Sequence, residues 1–486
     1  MNAMPEGKIL ETYQLVVDGI QVQVQVTQDK EDFVPNYLLS ILNVSDTTKI
    51  ILEKIREKFV SEVQLGKVEL MGLEHFEELK TKFAGEVSRL LDQYLPRIEP
   101  KTKTMLINYV IQQDLGLGYI EVLLKDDALE EIVVNDASDP VWVYHKKFGW
   151  LKTNVFMESE DQIRHYSTMI GKDVGKAITI LNPLLDAHLV TGDRVNATLH
   201  PISNFGNTIT IRKFSRKPWS VVDLIRTKTI NYEGAALVWL AMQHEMSILI
   251  AGGTGSGKTS FLNVLCNFLP PNQRIISIED TRELQLPKTA HWVPMETRMA
   301  NPEGKGEVSM LDLVINALRM RPDRILVGEI RRKKEAEVLF EAMHTGHSVY
   351  ATIHANNARE TIVRLTNPPI EIPKLMLPAL GLICVQHRDR RTGKRRTLQI
   401  AEVTEEGEPN VLLQLNMKTD SLEKVNDSKV FVNTLMMYTG MSMQDIQKDL
   451  NDKIAFLQAL VRKDITDIHQ IGLILAKYYT QGIMFR

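Results

Sequence analysis

The chain has 486 residues, 44% of them hydrophobic and 24% charged, which predicts a globular protein of about three domains. The formal net charge of −3 excludes a strongly basic overall charge of the kind that attracts nucleic acid or anionic lipid. The two cysteines, Cys266 and Cys384, lack the spacing of a zinc site or a disulfide framework. No apolar run of 18 residues and no basic-then-apolar leader occurs, so we expect a cytoplasmic protein that meets a membrane only through partners.

Residues 1–100 predict a small N-terminal α/β module. Valine alternates with glutamine in Gln21–Val26, which indicates a half-buried strand, and Asp18 with Gly19 just before it is typical of a hairpin turn. Two apolar patterns of helical spacing follow. Their members are Ile51, Ile55, Phe59 and Val63, and then Phe76, Leu79, Phe83, Val87, Leu90 and Tyr94.

Residues 101–217 mix helical and strand patterns, which predicts a second α/β module. Helices are predicted around Thr104–Gln113 and Asp161–Ile170, and strands at Glu131–Val134, Val141–Tyr144, Arg194–Leu199 and Thr208–Ile211. Lys217 and Pro218 mark a linker to the next module.

Residues 218–400 form the third predicted module, and residues 401–486 a helical C-terminal region. The strands of the third module are predicted at Ile248–Ala251, Arg274–Ile278, Arg324–Val327 and Ser348–Thr352. Because these runs are continuously apolar and alternate with helices, they predict a parallel sheet with crossover helices. In the C-terminal region, Ser442 and Asp445 have the spacing of a weak capping box.

A glycine-rich loop in the third module has the spacing of a phosphate-binding P-loop. It comprises Gly252, Gly253, Thr254, Gly255, Ser256, Gly257, Lys258, Thr259 and Ser260, with an apolar strand before it and a helical stretch after it. Backbone N–H groups of such a loop surround phosphate oxygens, and the helix N-terminus adds positive potential. We expect Lys258 to reach the β- and γ-phosphates of ATP and the Thr259 hydroxyl to ligate Mg²⁺. The alternative, a chance glycine-rich turn, does not explain the two flanking elements.

Two apolar strands of this module end in carboxylates. Glu329 follows one strand, and Glu279 with Asp280 ends another. The carboxyl ends of parallel strands share one edge with the P-loop, where a base can orient water and a carboxylate can serve Mg²⁺ together with Thr259. A solvated loop acid is the alternative at either place, and the choice of general base between Glu279 and Glu329 stays open.

Histidines and arginines provide further candidates. His347 and His354 bracket the strand Ser348–Thr352, where they could sense the γ-phosphate or serve only the structure. Arg194 and Arg212 lie in the preceding module. An arginine from another domain can stabilise charge in phosphoryl transfer, although most surface arginines only solvate a face.

The order of these pieces resembles the secretion ATPase superfamily of type II secretion, type IV pili, conjugation and the archaellum. The stretches that carry the resemblance are Gly192–Arg194, Ile211–Arg212, the P-loop, Ile278–Leu284, Arg321–Arg331 and Thr345–His354. In family terms they are the arginine-bearing strands, Walker A, the aspartate box, Walker B and the histidine box. The opening strand and helices and the tail look most similar to archaeal members, and the tetracysteine element of many bacterial type II members is absent.

The resemblance implies a homohexameric ring of subunits, each with a PAS-like N-terminal α/β domain and a RecA-like P-loop ATPase domain. It implies that ATP and Mg²⁺ are held by Lys258 and Thr259, that Glu279 and Glu329 serve hydrolysis, and that His347 and His354 are histidine-box residues. Arg194 and Arg212 would reach the nucleotide from the N-terminal domain. Because the family commonly has a small residue where Asp193 stands, this acid could hold Arg194 off the nucleotide in one ring state.

The implied function is an ATP-hydrolysing motor that powers a pilus-like or archaellum-like filament or a secretion system. Its partner would be an integral-membrane platform protein at the inner face of the cell membrane. The alternative is a RecA-like nucleic-acid motor, since Arg388–Arg396 holds six basic residues that could touch phosphates. Gly393 predicts an exposed turn there without interleaved aromatics, so no nucleic acid is expected as a partner. A non-hydrolysing scaffold fits poorly with two strand-end glutamates.

Overall fold

The computed structural model describes residues 8–42, 48, 50–52, 54–55, 73–114, 116–189, 191–214, 217–300 and 304–482. The chain divides into two compact units, Met1–Arg216 and Lys217–Arg486. Within the described residues, no helix has the length and apolar character needed to cross a bilayer.

The first unit contains a large sheet with helices packed on it. Its strands are β1 (Lys8–Val17), β2 (Ile20–Gln28), β3 (Asn36–Ile41), β4 (Leu129–Val134), β5 (Trp142–His145), β6 (Gly149–Thr153), β7 (Leu184–His188), β8 (Arg194–Thr198) and β9 (Thr208–Arg212). Its helices are α1 (Leu73–Tyr94), α2 (Pro100–Asp114), α3 (Tyr119–Lys125) and α4 (Glu160–Asp173).

The sheet of the first unit has the order β1-β2-β3-β6-β5-β4-β9-β8-β7. The pairing of β3 with β6 is parallel, and the other neighbouring pairs are antiparallel. The predicted alternation is confirmed, because Val22, Val24 and Val26 are fully buried on one face of β2. The sheet runs without a break from the strands before residue 100 to those after it, so the expected boundary there does not divide the sheet. Phe59 and Val63 of the first predicted helix lie outside the described residues.

The second unit is also built on one large sheet. Its strands are β10 (Ile248–Gly252), β11 (Arg274–Glu279), β12 (His291–Glu296), β13 (Arg324–Val327), β14 (Ser348–Ile353), β15 (Leu382–Arg388), β16 (Arg395–Val403), β17 (Pro409–Asn416) and β18 (Ser421–Lys424). Its helices are α5 (Val221–Arg226), α6 (Tyr232–Gln243), α7 (Lys258–Leu265), α8 (Met310–Leu318), α9 (Lys333–His344), α10 (Ala358–Thr366), α11 (Phe431–Thr439), α12 (Met443–Arg462) and α13 (Ile468–Gln481), with short 3₁₀ turns at Cys266–Phe268 and Lys374–Ala379.

The strand order in the second unit is β12-β11-β13-β14-β10-β15-β16-β17-β18. The pairs from β12 to β15 are parallel, which confirms the predicted parallel sheet. Strand β10 therefore lies between β14 and β15, and the carboxyl ends of β10, β11, β13 and β14 meet at one edge. This common edge brings the residues that follow each strand together.

The sheet extends beyond the predicted strands. Strands β16, β17 and β18 add to it in antiparallel fashion, so the C-terminal region expected to be helical from residue 401 becomes helical only at Phe431. The tail helices then pack back on α6, where the buried Lys453 ammonium lies over the ring of Trp239. The predicted capping box at the start of α12 is confirmed, since Ser442 and Asp445 bond reciprocally.

Candidate active site

The glycine-rich loop joins the fully buried strand β10 to helix α7, as its motif requires. Gly255 and Gly257 have φ angles of +70° and +88°, a left-handed conformation that glycine adopts without steric cost. At Gly252 a β-carbon would lie 2.6 Å from the backbone oxygen of Gln386. These glycines are therefore required by the path of the loop itself.

The side chain of Lys258 folds back against this loop. Its ammonium donates to the carbonyl oxygens of Gly252 at 2.9 Å and Gly253 at 3.1 Å. Burial lowers the pKa of Lys258, while the nearby Glu329 raises it. An ammonium has three hydrogens, and among the described residues these two acceptors leave one of them for a ligand.

Glu279 ends β11 as a buried carboxyl group, only 2% exposed. Its Oε1 accepts hydrogen bonds from the backbone N–H groups of Glu283 at 2.9 Å and Leu284 at 3.0 Å. Its buried Oε2 has no hydrogen-bond partner among the residues that the structure describes. Burial raises the pKa of Glu279 to about 7, against the opposing effect of the two N–H bonds. One oxygen is thus fixed and the other is left for a metal ion or a water molecule.

Glu329 follows β13 and is half-buried. The guanidinium of Arg331 contacts its Oε2 through Nη2 at 2.7 Å and reaches Asp280 through Nη1 at 2.7 Å. Between the two acidic strand ends, Gly328 lies so close that its β-carbon would be 3.5 Å from Cα of Glu279. The structure therefore brings Glu279 and Glu329 to neighbouring strand ends at the phosphate-loop edge.

The two predicted histidines lie at opposite ends of β14. His354 directly follows the strand, at the edge that carries the phosphate loop, because Ile353 pairs with Ala251 of β10. His347 directly precedes the strand and lies near Thr345, with 3.3 Å between Nδ1 and Oγ1. Six strand residues separate the two histidines, a span of roughly 20 Å. Of these two histidines, His354 is therefore the one at the same edge of the sheet as the glycine-rich loop of its own chain.

Arg194 and Arg212 are direct cross-strand partners on β8 and β9. Arg194 binds Asp186 on β7 through two nitrogens, at 3.2 and 2.8 Å. Asp193, which could hold Arg194 off the nucleotide in one ring state, is buried in this structure and accepts bonds from the Thr191 hydroxyl and the backbone N–H at position 214. The structure therefore pairs the two predicted arginines within the first unit.

Sequence reasoning missed several residues that lie at the phosphate loop. Asn356 lies against Gly253, because a β-carbon added to this glycine would be 3.2 Å from the side-chain oxygen of Asn356. The hydroxyl of Thr352 donates to the backbone oxygen of Gly328 at 2.5 Å. Arg395, from the segment expected to be an exposed turn, donates from Nε to the backbone oxygen of Gly255 at 3.1 Å. The basic composition was the available signal for Arg395, but it does not indicate which surface the arginine contacts.

Comparison with known proteins assigns the family. The family model for type II/IV secretion system proteins matches residues 113–470. Two uncharacterized proteins of Methanocaldococcus jannaschii are 39% identical over 70% of this chain and 34% identical over 82% of it, and the chain spans 46% and 74% of their respective lengths. The type IV secretion system protein PtlH of Bordetella pertussis is 31% identical, over 59% of this chain and 94% of that protein.

Among solved structures, the ATPase DotB of Legionella pneumophila is 20% identical, with a TM-score of 0.45 over 75% of this chain and 91% of that chain. The family match covers well over half of the chain and includes every predicted site residue from Arg194 to His354. The resemblance seen in the sequence is confirmed, and the chain belongs to the type II/IV secretion system protein family.

Proposed function

We propose that this chain is a motor subunit that hydrolyses ATP to power assembly of a pilus-like or archaellum-like filament or transport through a secretion system. The observation that carries the proposal is the position of Lys258 in a glycine loop at the edge where Glu279 and Glu329 end neighbouring strands. A loop that binds phosphate, joined to carboxylates that can activate water, is the arrangement that nucleoside triphosphate hydrolysis requires.

Nucleotide binding follows from the loop. The N–H groups of the glycine loop and of the first turn of α7 would face the phosphates, where the helix dipole also favours negative charge. Lys258 is already held across the loop by two carbonyl oxygens. These contacts hold the ammonium across the loop, and a donor held in position loses less entropy on binding.

The residues at this edge also fit Mg²⁺. The Thr259 hydroxyl lies in the first turn of α7, and Glu279 offers a buried oxygen without a hydrogen-bond partner among the described residues. Oxygen donors of this kind, together with phosphate and water, are those that Mg²⁺ prefers. When bound, the ion would neutralise charge that develops on the phosphates.

The two carboxylates have different environments and so different roles. Glu279 is fixed by two backbone N–H groups, so we assign it the positioning of the metal ion or its water. Glu329 is 26% exposed, and its carboxylate is oriented by Arg331. A carboxylate that is accessible to water and held in orientation suits a general base for the attacking water. We assign His354, which directly follows the neighbouring strand β14, to contact with the γ-phosphate.

The assembly is also part of the proposal. Membership in the type II/IV secretion family supports a homohexameric ring with RecA-like ATPase domains, in which Arg194 and Arg212 approach a nucleotide. The same membership supports a cytoplasmic protein bound to the inner face of the membrane through an integral-membrane platform protein. His347, at the far end of β14, would then serve an adjoining part of the ring rather than its own phosphate loop.

The experiment is a phosphate-release assay on the purified full chain with Mg²⁺ and ATP, with and without single-stranded DNA. The proposal expects ATP turnover that DNA leaves unchanged. Stimulation by DNA would indicate a nucleic-acid motor instead. An absence of turnover with all four nucleoside triphosphates would refute the ATPase function.

A further inference from the structure

The basic hairpin, defined here as β15, β16 and the turn between them, lies against the phosphate loop. Arg388 and Arg395 are the last cross-strand pair before the turn. Besides the bond from its Nε to the Gly255 carbonyl, Arg395 places Cδ 3.4 Å from where a β-carbon at Gly257 would lie. Nη1 of Arg388 would be 2.9 Å from a β-carbon at Gly255. Two guanidinium groups therefore contact the middle of the loop.

The hairpin holds these arginines on a fixed scaffold. Next to Arg395 on β16, Arg396 bonds Asp420 through Nε at 2.7 Å and Nη2 at 2.8 Å, and its Nη1 reaches the backbone oxygen of Thr227 at 2.9 Å. At its tip, the Asp389 carboxylate accepts a bond from the N–H of Arg391 at 2.8 Å and closes the turn. Hydrogen bonds therefore hold the turn before Arg395 and the residue after it, and pairing with Arg388 fixes its place in the sheet.

The bond from Arg395 sets the orientation of one peptide group in the loop. In a trans peptide the C=O and the following N–H point in opposite directions. When Arg395 binds the Gly255 carbonyl, the N–H of Ser256 is directed to the other side, where it donates to the carbonyl oxygen of Gly253 at 3.3 Å. In addition, a guanidinium with Nε engaged retains four N–H donors, which match the geometry of phosphate oxygens.

We propose that Arg395 is a positioning residue of the nucleotide site, which orients the Gly255–Ser256 peptide for the triphosphate chain, and that Arg388 adds positive charge beside it. The proposal rests on the ATPase function and deepens it. It assigns Arg388 and Arg395 to the protein's own phosphate site, so that these two arginines serve a bound nucleoside triphosphate and not a nucleic acid.

The test compares Arg395→Ala and Arg395→Lys with Arg390→Ala, which removes the same charge from the exposed tip of the same hairpin. The full chain is titrated with a fluorescent ATP analogue, and kcat and KM are measured by phosphate release. A charge-assisted hydrogen bond corresponds to a loss of about tenfold or more in affinity, so Arg395→Ala should raise Kd and KM by that factor with a smaller change in kcat. Arg395→Lys should lie between this variant and the wild type, and Arg390→Ala should match the wild type.

Two outcomes would overturn the proposal: wild-type Kd and KM in Arg395→Ala, or an equal weakening in Arg390→Ala. Thermal melting checks folding, and if Arg395→Ala does not fold, a wild-type Kd in Arg395→Lys refutes the proposal by itself. Failure of the underlying function would look different, because the wild-type chain would then neither bind the analogue nor release phosphate.

Discussion

Arg331 binds the carboxylate of Glu329 through two nitrogens, with Nε at 2.9 Å and Nη2 at 2.7 Å from the same oxygen, Oε2. Its third nitrogen contacts Asp280 at 2.7 Å. A planar guanidinium fixes the orientation of the groups it bonds. The acidic residues that follow two neighbouring strands are thereby held in one network, with Oε1 of Glu329 outside the Arg331 contact.

Glu329→Gln should retain ATP binding and lose hydrolysis. The amide has the same shape and can still accept a bond from Arg331, but it cannot take a proton from water. Loss of a general base costs about 10²–10⁴-fold in rate, which phosphate release under saturating ATP would measure. The matched control is Glu341→Gln on the exposed face of α9, which should behave as the wild type. An unchanged kcat in Glu329→Gln would transfer the base role to Glu279.

Glu279 predicts a pH-dependent stability. Its folded-state pKa is raised from 4.5 to about 7, so the folded chain binds the proton more tightly than the unfolded chain. This tighter proton binding stabilises the folded state fully at pH values below the unfolded-state pKa of 4.5. The stabilisation is lost as pH rises through the folded-state pKa of about 7. Relative to Glu279→Gln, the wild type should lose about 3 kcal/mol of unfolding free energy between these limits. Urea titrations at pH 5 and pH 7.5 test this, and parallel pH profiles for both proteins would contradict it.

Arg194 and Arg212 should affect hydrolysis more than binding, if they stabilise the charge of the transition state. Arg194→Ala and Arg212→Lys should each lower kcat while the nucleotide Kd changes little, since lysine keeps the charge but loses the planar fork. Arg164→Ala, at an exposed arginine of α4 in the same unit, is the control. Normal kcat in both site variants would refute a role in hydrolysis for the two arginines, and the ion pair of Arg194 with Asp186 would then serve the structure.

Nucleotide should promote assembly of the ring. A ligand that binds the assembled form preferentially shifts the equilibrium toward it, and light scattering with a non-hydrolysable ATP analogue should give a mass of about six subunits. Lys258→Ala should remain at the smaller mass under the same conditions. A wild-type chain that stays monomeric at tens of micromolar with saturating analogue would argue against the hexamer.

Much of the second unit could be predicted from local patterns. The apolar runs of β10, β11, β13 and β14 indicate buried parallel strands, and the shared edge of such strands predicts that Glu279, Glu329 and His354 come together. The same reasoning, applied to strand direction, assigns His347 to the opposite edge. Continuous apolar composition is a strong signal because a central strand is buried on both faces.

The contacts made by arginines could not be predicted in this way. Arg194 pairs with Asp186 instead of its neighbour Asp193, and Arg395 reaches Gly255, which is 140 residues away in the chain. These contacts depend on the register between antiparallel strands, which local composition does not determine. Strands β16 to β18 were missed for a related reason, since their mixed burial gives neither a continuous nor a strictly alternating pattern.

The central claim is that the loop from Gly252 to Ser260 binds and hydrolyses ATP, and Lys258→Ala tests it most directly. The lysine contacts loop carbonyls rather than the apolar core, so its removal should leave the fold intact. The decisive measurement is steady-state phosphate release from ATP by the wild type and by this variant, with thermal melting of both. The account predicts unchanged melting with loss of turnover in Lys258→Ala, and wild-type turnover in the folded variant would contradict it.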